Sequence, residues 1–214
     1  MILHLPNGES HPLSPGSAGF KEYKNITAKI QCPLCHQYKD VEENICETGI
    51  FSGSFNPLHD GHRSIFSLCV HRLKLDPIFA TSRHRFEKTS YENRELSTML
   101  LQFRDYAPIL LIESFLFLDV VNEFEGWSPR FVMGADDFKE LANNQLEIDG
   151  NLDKLKDVKF ALTCRLTEKE LIPGIELVQH YFGVDHGLDI KFFTMMMIKS
   201  SSSIRHQIKK YSSA

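Results

Sequence analysis

The sequence predicts an α/β domain with a mostly parallel sheet covered by helices on both faces, and three observations carry that prediction. From Thr48 onward, short apolar runs alternate with longer amphipathic stretches. Strands separated by helices are joined by crossovers, which make neighbouring strands parallel. Between the first two runs, Ile65, Phe66, Cys69, Val70 and Leu73 recur at the spacing of one helix face. The 214 residues are 42% hydrophobic and 24% charged, which is globular composition at a length suited to one domain of ordinary size.

Residues 1–47 are read as an irregular extension packed on a domain of residues 48–214, or as partly disordered. They hold Pro6, Pro12, Pro15 and Pro33, show no helical periodicity, and offer Ala28–Gln31 as one short strand. The domain then runs through predicted strands at Gly49–Ser52, Pro77–Ala80, Ile109–Ile112, Phe131–Met133, Lys159–Thr163 and Ile190–Met196. Helices are expected around Ile65–Leu73 and over Glu92–Phe103, Phe115–Phe124 and Asp136–Asn143.

Charge and hydropathy narrow the function. Lys plus Arg total 24 and Asp plus Glu total 28, a net charge of −4, unlike a strongly basic nucleic-acid binder. Local phosphate sites need only a few placed donors and stay open. The N-terminus carries no basic stretch and soon meets Pro6, Asn7 and Gly8, unlike a signal peptide. The longest apolar run, Ala107–Val121, is broken by Glu113, Ser114 and Asp119, well short of the roughly 18–20 residues that span a bilayer. No nucleic-acid or membrane partner is expected, and the cytoplasm is the expected location. Five cysteines are too few, and odd in number, for a disulfide framework. Cys32 and Cys35 form a single CxxC, with His36 and Cys46 after it. Zinc there is one reading. The absence of a second CxxC, and the awkward geometry of His36 beside a cysteine ligand, favour reduced thiols. Cys69 and Cys164 are expected in the core.

Two segments carry chemistry. The first runs Ile50-Phe-Ser-Gly-Ser-Phe-Asn-Pro-Leu-His-Asp-Gly-His62, with a strand entering and an amphipathic helix leaving. Gly53 allows a sharp turn and close approach of a ligand to the backbone, and Asp60 is expected to cap the helix. His59 and His62 fall at the helix N-terminus, where backbone N–H groups and the dipole favour phosphate. Two imidazoles there can donate to charge developing on a phosphoryl group. The bland alternative is a Gly/Pro turn with two surface histidines. The second segment, Lys199-Ser-Ser-Ser-Ser-Ile-Arg205, places hydroxyls and Arg205 before an amphipathic stretch. It reads as a second anion cradle, or else as a flexible linker before a basic tail.

Together the two segments resemble the paired signatures of the HxGH nucleotidyltransferases, and most closely the nicotinamide or nicotinate mononucleotide adenylyltransferases. Gly53-Ser54-Phe55-Asn56-Pro57 with His59-x-Gly61-His62 is similar to that family's first motif, and Ser200-Ser201-Ser202-Ser203-Ile204-Arg205 to its ISSTxIR motif. Between them, Phe131-Val-Met-Gly-Ala-Asp136 resembles the family's G-x-D strand end. Asn93–Leu100 resembles the helix after its substrate loop, and Lys88 stands where that loop often has a lysine.

The resemblance implies a Rossmann-like domain that transfers AMP from ATP to a mononucleotide phosphate, releasing pyrophosphate, in NAD biosynthesis. It implies His62 at the α-phosphate, His59 at the neighbouring phosphates, and Gly53 and Ser54 beside the reacting groups. It places Ser201, Ser202 and Arg205 at the β- and γ-phosphates, with Ser203 and Ile204 in the same motif. Gly134 and Asp136 would line the adenosine pocket, although Asp136 also suits a helix N-cap. Mg²⁺ is expected with ATP. ATP and a small phosphorylated acceptor are the implied partners, and a homo-oligomer stays open. The alternatives are a superfamily member with another acceptor (pantetheine phosphate, or a phosphoalcohol taking CMP) and a nucleotide-binding regulator whose acceptor site has decayed.

Overall fold

The computed structural model describes residues 1–27, 47–55, 57–82, 93–114, 116–134, 137–138, 141, 155–165 and 190–195. Their elements, in chain order, are β1 (Ile2–His4), β2 (Ser10–Pro12), α1 (Gly16–Thr27), β3 (Glu47–Ser52), α2 (Asp60–His71) and β4 (Leu75–Ser82). There follow α3 (Asn93–Leu101), β5 (Ile109–Ile112), α4 (Phe117–Glu123), β6 (Arg130–Gly134), β7 (Lys159–Arg165) and β8 (Ile190–Met195). Each of the six strands expected from the apolar runs is present, several lengthened at their polar ends. The predicted helix Asp136–Asn143 lies largely outside the described residues.

The eight strands form one sheet in the order β2-β1-β5-β4-β3-β6-β7-β8. β5, β4, β3, β6, β7 and β8 run parallel, while β1 and β2 add an antiparallel edge beside β5. From β3 the chain steps outward through β4 to β5, then returns to the other side of β3 and steps outward through β6, β7 and β8. That is the doubly wound, Rossmann-like order. Parallel crossovers keep one hand, so reversing direction moves the covering helices to the opposite face.

Alternating strand residues feed two cores. Phe51, Phe79, Ile109, Leu111, Val132 and Ala161 meet Ile65, Phe66, Cys69 and Val70 of α2 and Leu96 and Met99 of α3. Their neighbours Ile50, Ile78, Leu110, Ile112, Phe131 and Phe160 face the other way, toward Tyr23 of α1, Val120 of α4 and Phe124. Burial on both faces explains why these strands read as continuous apolar runs. Cys69 is buried as expected, and burial pushes its thiol up to about 12. Among the described residues no helix is long and apolar enough to cross a membrane.

The expectation of an irregular segment over residues 1–47 fails for residues 1–27. Leu3, Leu5, Leu13 and Tyr23 are core residues. Trp127 donates its indole N–H to the Gly16 carbonyl (2.9 Å) and packs against Phe20 and Tyr23, so α1 is built into the domain. Lys24 in its last turn pairs with Asp76 of β4 at 2.8 Å. Gly19 lies so close to the Ser14 carbonyl that a Cβ there would collide with it. The pattern escaped sequence reading for a physical reason. Three-residue strands are too short to show alternation, and α1 anchors itself with few apolar residues. The expected strand Ala28–Gln31 and the group Cys32, Cys35, His36 and Cys46 lie outside the described residues.

At the amino ends of the central strands sits a charged network. Arg130, the first residue of β6 and only 3% exposed, donates from Nε to Glu47 Oε2 (2.9 Å) and from Nη1 to the Phe160 carbonyl (3.0 Å). Lys159, which opens β7, adds a contact of 3.1 Å to Glu47. Burial raises the Glu47 carboxyl's pKa, but the hydrogen bonds and charges of Arg130 and Lys159 outweigh it and hold the group below the ordinary glutamate value.

Candidate functional site

The carboxyl ends of the same strands are built differently. β3 and β6 are neighbours, yet the chain leaves them in opposite directions along the sheet. In open α/β sheets this switch point opens a crevice that binds ligands. The strand ends here are Ser52-Gly53 and Gly134, so small residues from the two implied motifs end adjacent strands. The Gly53 N–H continues the ladder to the Ala80 carbonyl at 3.0 Å. A Cβ on Gly53 would sit 3.0 Å from the Phe55 ring, which is tight contact and explains the glycine.

Phe55 turns the chain. Its φ is 44°, in the left-handed region that a bulky L-residue enters at a cost of about 1–2 kcal/mol. Packing holds it there. The ring is fully buried, edge-on to Phe51, Phe79 and Phe103 at centroid distances of 5.4, 5.0 and 5.6 Å. It also lies edge-on to His62 at 5.1 Å. Strain of this kind persists where surrounding structure over-determines a conformation, and it clusters at functional sites.

The two histidines form the start of α2. His59, in extended backbone conformation, is the N-cap, and its Nδ1 accepts the Gly61 N–H at 3.1 Å. His62 reaches back, its Nδ1 accepting the His59 N–H at 3.3 Å. This is a capping box in which imidazoles replace the usual hydroxyl and carboxylate. Asp60, expected as the cap, instead stands one residue inside the helix with its side chain 99% exposed, 3.9 Å from Arg63. The helix begins one residue earlier than expected, so the N-cap position falls on His59 and Asp60 becomes its first helical residue.

The capping box dictates the chemistry of the rings. A backbone N–H can only donate, so both Nδ1 atoms must be lone-pair acceptors. In the neutral rings the proton then resides on Nε2, at the far edge of each imidazole. The rings stack 3.8 Å apart at an interplanar angle of 24°. The two rings are thus fixed at the positive end of a helix of 12 residues, a setting suited to phosphate oxygens.

One contact was not foreseen. The Leu58 N–H, immediately before His59, donates to Gln102 Oε1 at 2.7 Å. Gln102 is 44 residues away in sequence and belongs to no motif.

Of the residues expected at the site, Gly53, Ser54, Phe55, His59, His62 and Gly134 lie at the carboxyl ends of β3 and β6 or in the loop and helix that follow β3. Lys88, Asp136, Ser201, Ser202, Ser203, Ile204 and Arg205 lie outside the described residues. Among the described residues no group of three His, Cys, Asp or Glu side chains could hold a metal ion.

No family model matches the chain. Over 60 residues it is 42% identical to a probable nicotinate-nucleotide adenylyltransferase of Caulobacter sp. (strain K31), a stretch covering 28% of this chain and 32% of that protein. The match thus spans about a third of that relative's length, and it supports kinship with a nucleotidyltransferase at that level and no finer.

Proposed function

We propose that the protein transfers AMP from ATP to the phosphate of a mononucleotide, nicotinamide or nicotinate mononucleotide, with release of pyrophosphate, as a step of NAD biosynthesis. The observation that carries the reading is the imidazole capping box at the sheet's switch point. It fixes two imidazoles at the start of α2, where a phosphate would lie. The short stretch shared with a probable nicotinate-nucleotide adenylyltransferase supports the acceptor class.

In this reading an oxygen of the acceptor's 5′-phosphate attacks the α-phosphorus of ATP. The bond from that phosphorus to the β-phosphate bridging oxygen breaks, and pyrophosphate leaves with the electron pair. No covalent enzyme intermediate forms. The protein's contribution is positioning and stabilisation of charge on phosphate oxygens. His62 donates to the α-phosphate and His59 to its neighbours, while Gly53 and Ser54 allow the reacting groups to approach the backbone. Ser201, Ser202, Ser203, Ile204 and Arg205 form the cradle for the leaving phosphates. Gly134 and Asp136 border the adenosine, and Lys88 lies on the acceptor side. Mg²⁺ takes oxygen ligands, which the imidazoles of His59 and His62 do not supply, so the ion would enter as the counter-ion of the triphosphate. Bound there, it neutralises phosphate charge.

Pyrophosphate release from ATP, measured against a panel of acceptors, tests the proposal. Turnover with a pyridine mononucleotide supports it. Turnover with pantetheine phosphate or a phosphoalcohol alone overturns the acceptor assignment, and ATP binding without any turnover favours a regulator. Arg205→Lys tests the cradle, because lysine cannot fork onto two phosphate oxygens. It should raise the KM for ATP and leave the acceptor's KM nearly unchanged.

A further inference from the structure

The turn that ends α3 grips the histidine loop at two points. Gln102 Oε1 accepts the Leu58 N–H at 2.7 Å. The next residue, Phe103, packs edge-to-face on Phe55 (5.6 Å), which in turn lies edge-on to His62 (5.1 Å). The turn itself is held by bonds from the Gln102 N–H to the Met99 carbonyl (3.1 Å) and from the Phe103 N–H to the Leu100 carbonyl (3.0 Å). Phe103 is buried and also packs on Phe79 of β4 (5.0 Å), so the grip is tied to the sheet.

The polar contact does what the aromatic one cannot. Leu58 and His59 contribute consecutive N–H groups just before α2. Side chains accept both, Gln102 the first and His62 the second. The peptide plane between Leu58 and His59 carries the His59 N–H, so its tilt sets where the His62 Nδ1 must lie to accept that bond. Fixing the Leu58 N–H fixes the chain on entry to that plane. Aromatic packing acts on the ring of His62, whereas the Gln102 bond acts on the backbone that leads to it.

We infer that Gln102 is a positioning residue that sets the orientation of the His59–His62 donor pair through the Leu58 N–H. The inference rests on the proposed reaction for its kinetic consequence, but its structural content does not. Small misplacements of oriented donors are costly, up to about 10²-fold for roughly 1 Å. Loss of one hydrogen bond at one remove from the chemistry should lower kcat about tenfold.

The experiment compares three variants of the full chain. Gln102→Met keeps length and removes the acceptor, Gln102→Ser removes both, and Gln102→Glu restores an acceptor oxygen at the same reach. Gln102 is half-buried, and Ser offers a second deletion should Met disturb the turn. Two readouts are taken: kcat and KM for adenylyl transfer, and the 15N signals of the two imidazoles with amide exchange at Leu58 and His59. The expected result is a fall in kcat of about tenfold in Met and Ser, with KM values within about twofold, recovery in Glu, and faster exchange at both amides. A folded Met or Ser variant with unchanged imidazole signals and unchanged amide exchange overturns the inference. So does loss of kcat that Glu does not recover. If the wild-type chain releases no pyrophosphate with any acceptor, the proposed reaction falls, and the imidazole signals and amide exchange alone decide the role of Gln102.

Discussion

The two ends of the central strands solve opposite problems. At the amino ends, Glu47, Arg130 and Lys159 close a network of charged hydrogen bonds around a guanidinium that is almost wholly buried. At the carboxyl ends, β3 and β6 lead into glycines, a phenylalanine held at positive φ, and two imidazoles whose Nδ1 atoms accept backbone N–H groups. The first end neutralises its polar groups against each other, and the second fixes two imidazoles at a helix start beside a strained residue. The contrast teaches where stability and chemistry should separate: substitutions at the amino ends should cost folding, and those at the carboxyl ends should cost turnover.

The largest effect would fall on the flank that both ends share. Deleting residues 1–27 removes Leu3, Leu5, Leu13 and Tyr23 from the core. Each such side chain is worth about 1.5–3 kcal/mol, so their total is comparable to the whole stability of a domain, about 5–15 kcal/mol. The shortened chain should lose its cooperative thermal transition by circular dichroism. A sharp melt within a few degrees of the full chain would show that the hairpin and α1 are dispensable.

Glu47→Ala isolates the amino end. It strands the Arg130 guanidinium in a buried position, which costs about 3 kcal/mol, near the low end for a broken buried pair because the Phe160 carbonyl still accepts from it. Urea denaturation should report that loss while kcat for the proposed reaction stays within about twofold in the folded protein. His62→Ala is the mirror experiment. Losing one preorganised donor should reduce kcat by roughly 10²-fold or more, while loss of half a capping box costs only about 1 kcal/mol of stability. If either variant moved both readouts equally, the separation of the two ends would break down.

Gly53→Ala sharpens the comparison on a smaller scale. The added methyl meets the Phe55 ring at 3.0 Å, and Phe55 has no room to retreat among Phe51, Phe79 and Phe103. About 1–2 kcal/mol of overpacking is expected, with kcat reduced because the strain falls on the loop between Gly53 and His62. Full activity and an unchanged melting curve would mean that the loop relaxes freely.

Acid should act at the amino end. The Glu47 carboxyl titrates below the ordinary 4.5 in the folded chain, because Arg130 and Lys159 outweigh the effect of burial. Its stabilising contribution is therefore complete above about pH 4.5 and is lost as pH falls through the folded value. Denaturation between pH 6 and 3 should show that loss in the wild type and a shallower decline in Glu47→Gln. Identical slopes would remove the network from the acid response.

Much of this was legible in sequence for reasons that can be named. Ile109–Ile112 and Phe131–Met133 are buried on both faces, so their runs stand out whatever the register, and the Ile65–Val70 face has the period of a helix. The spacing of His59 and His62 put both at one helix start. What chain order cannot express is which side chain wins a local competition. Asp60 is the conventional cap by residue type, yet His59 and His62 take both capping bonds because their rings reach the backbone and stack on one another. Gln102 is invisible for a related reason: a single side-chain acceptor on a distant turn leaves no pattern, and only packing of that turn against Phe55 and Phe79 brings it to Leu58.

By itself the sequence determined the alternation of strands and helices, the two buried faces and the histidine pair at a helix start, because each follows from local periodicity and spacing. The tertiary structure decided that residues 1–27 complete the sheet edge and one core, that β3 and β6 meet at the switch point, and that Gln102 reaches the Leu58 N–H. Those outcomes depend on contacts between residues far apart in the chain, whose energies exist only once the sheet has assembled.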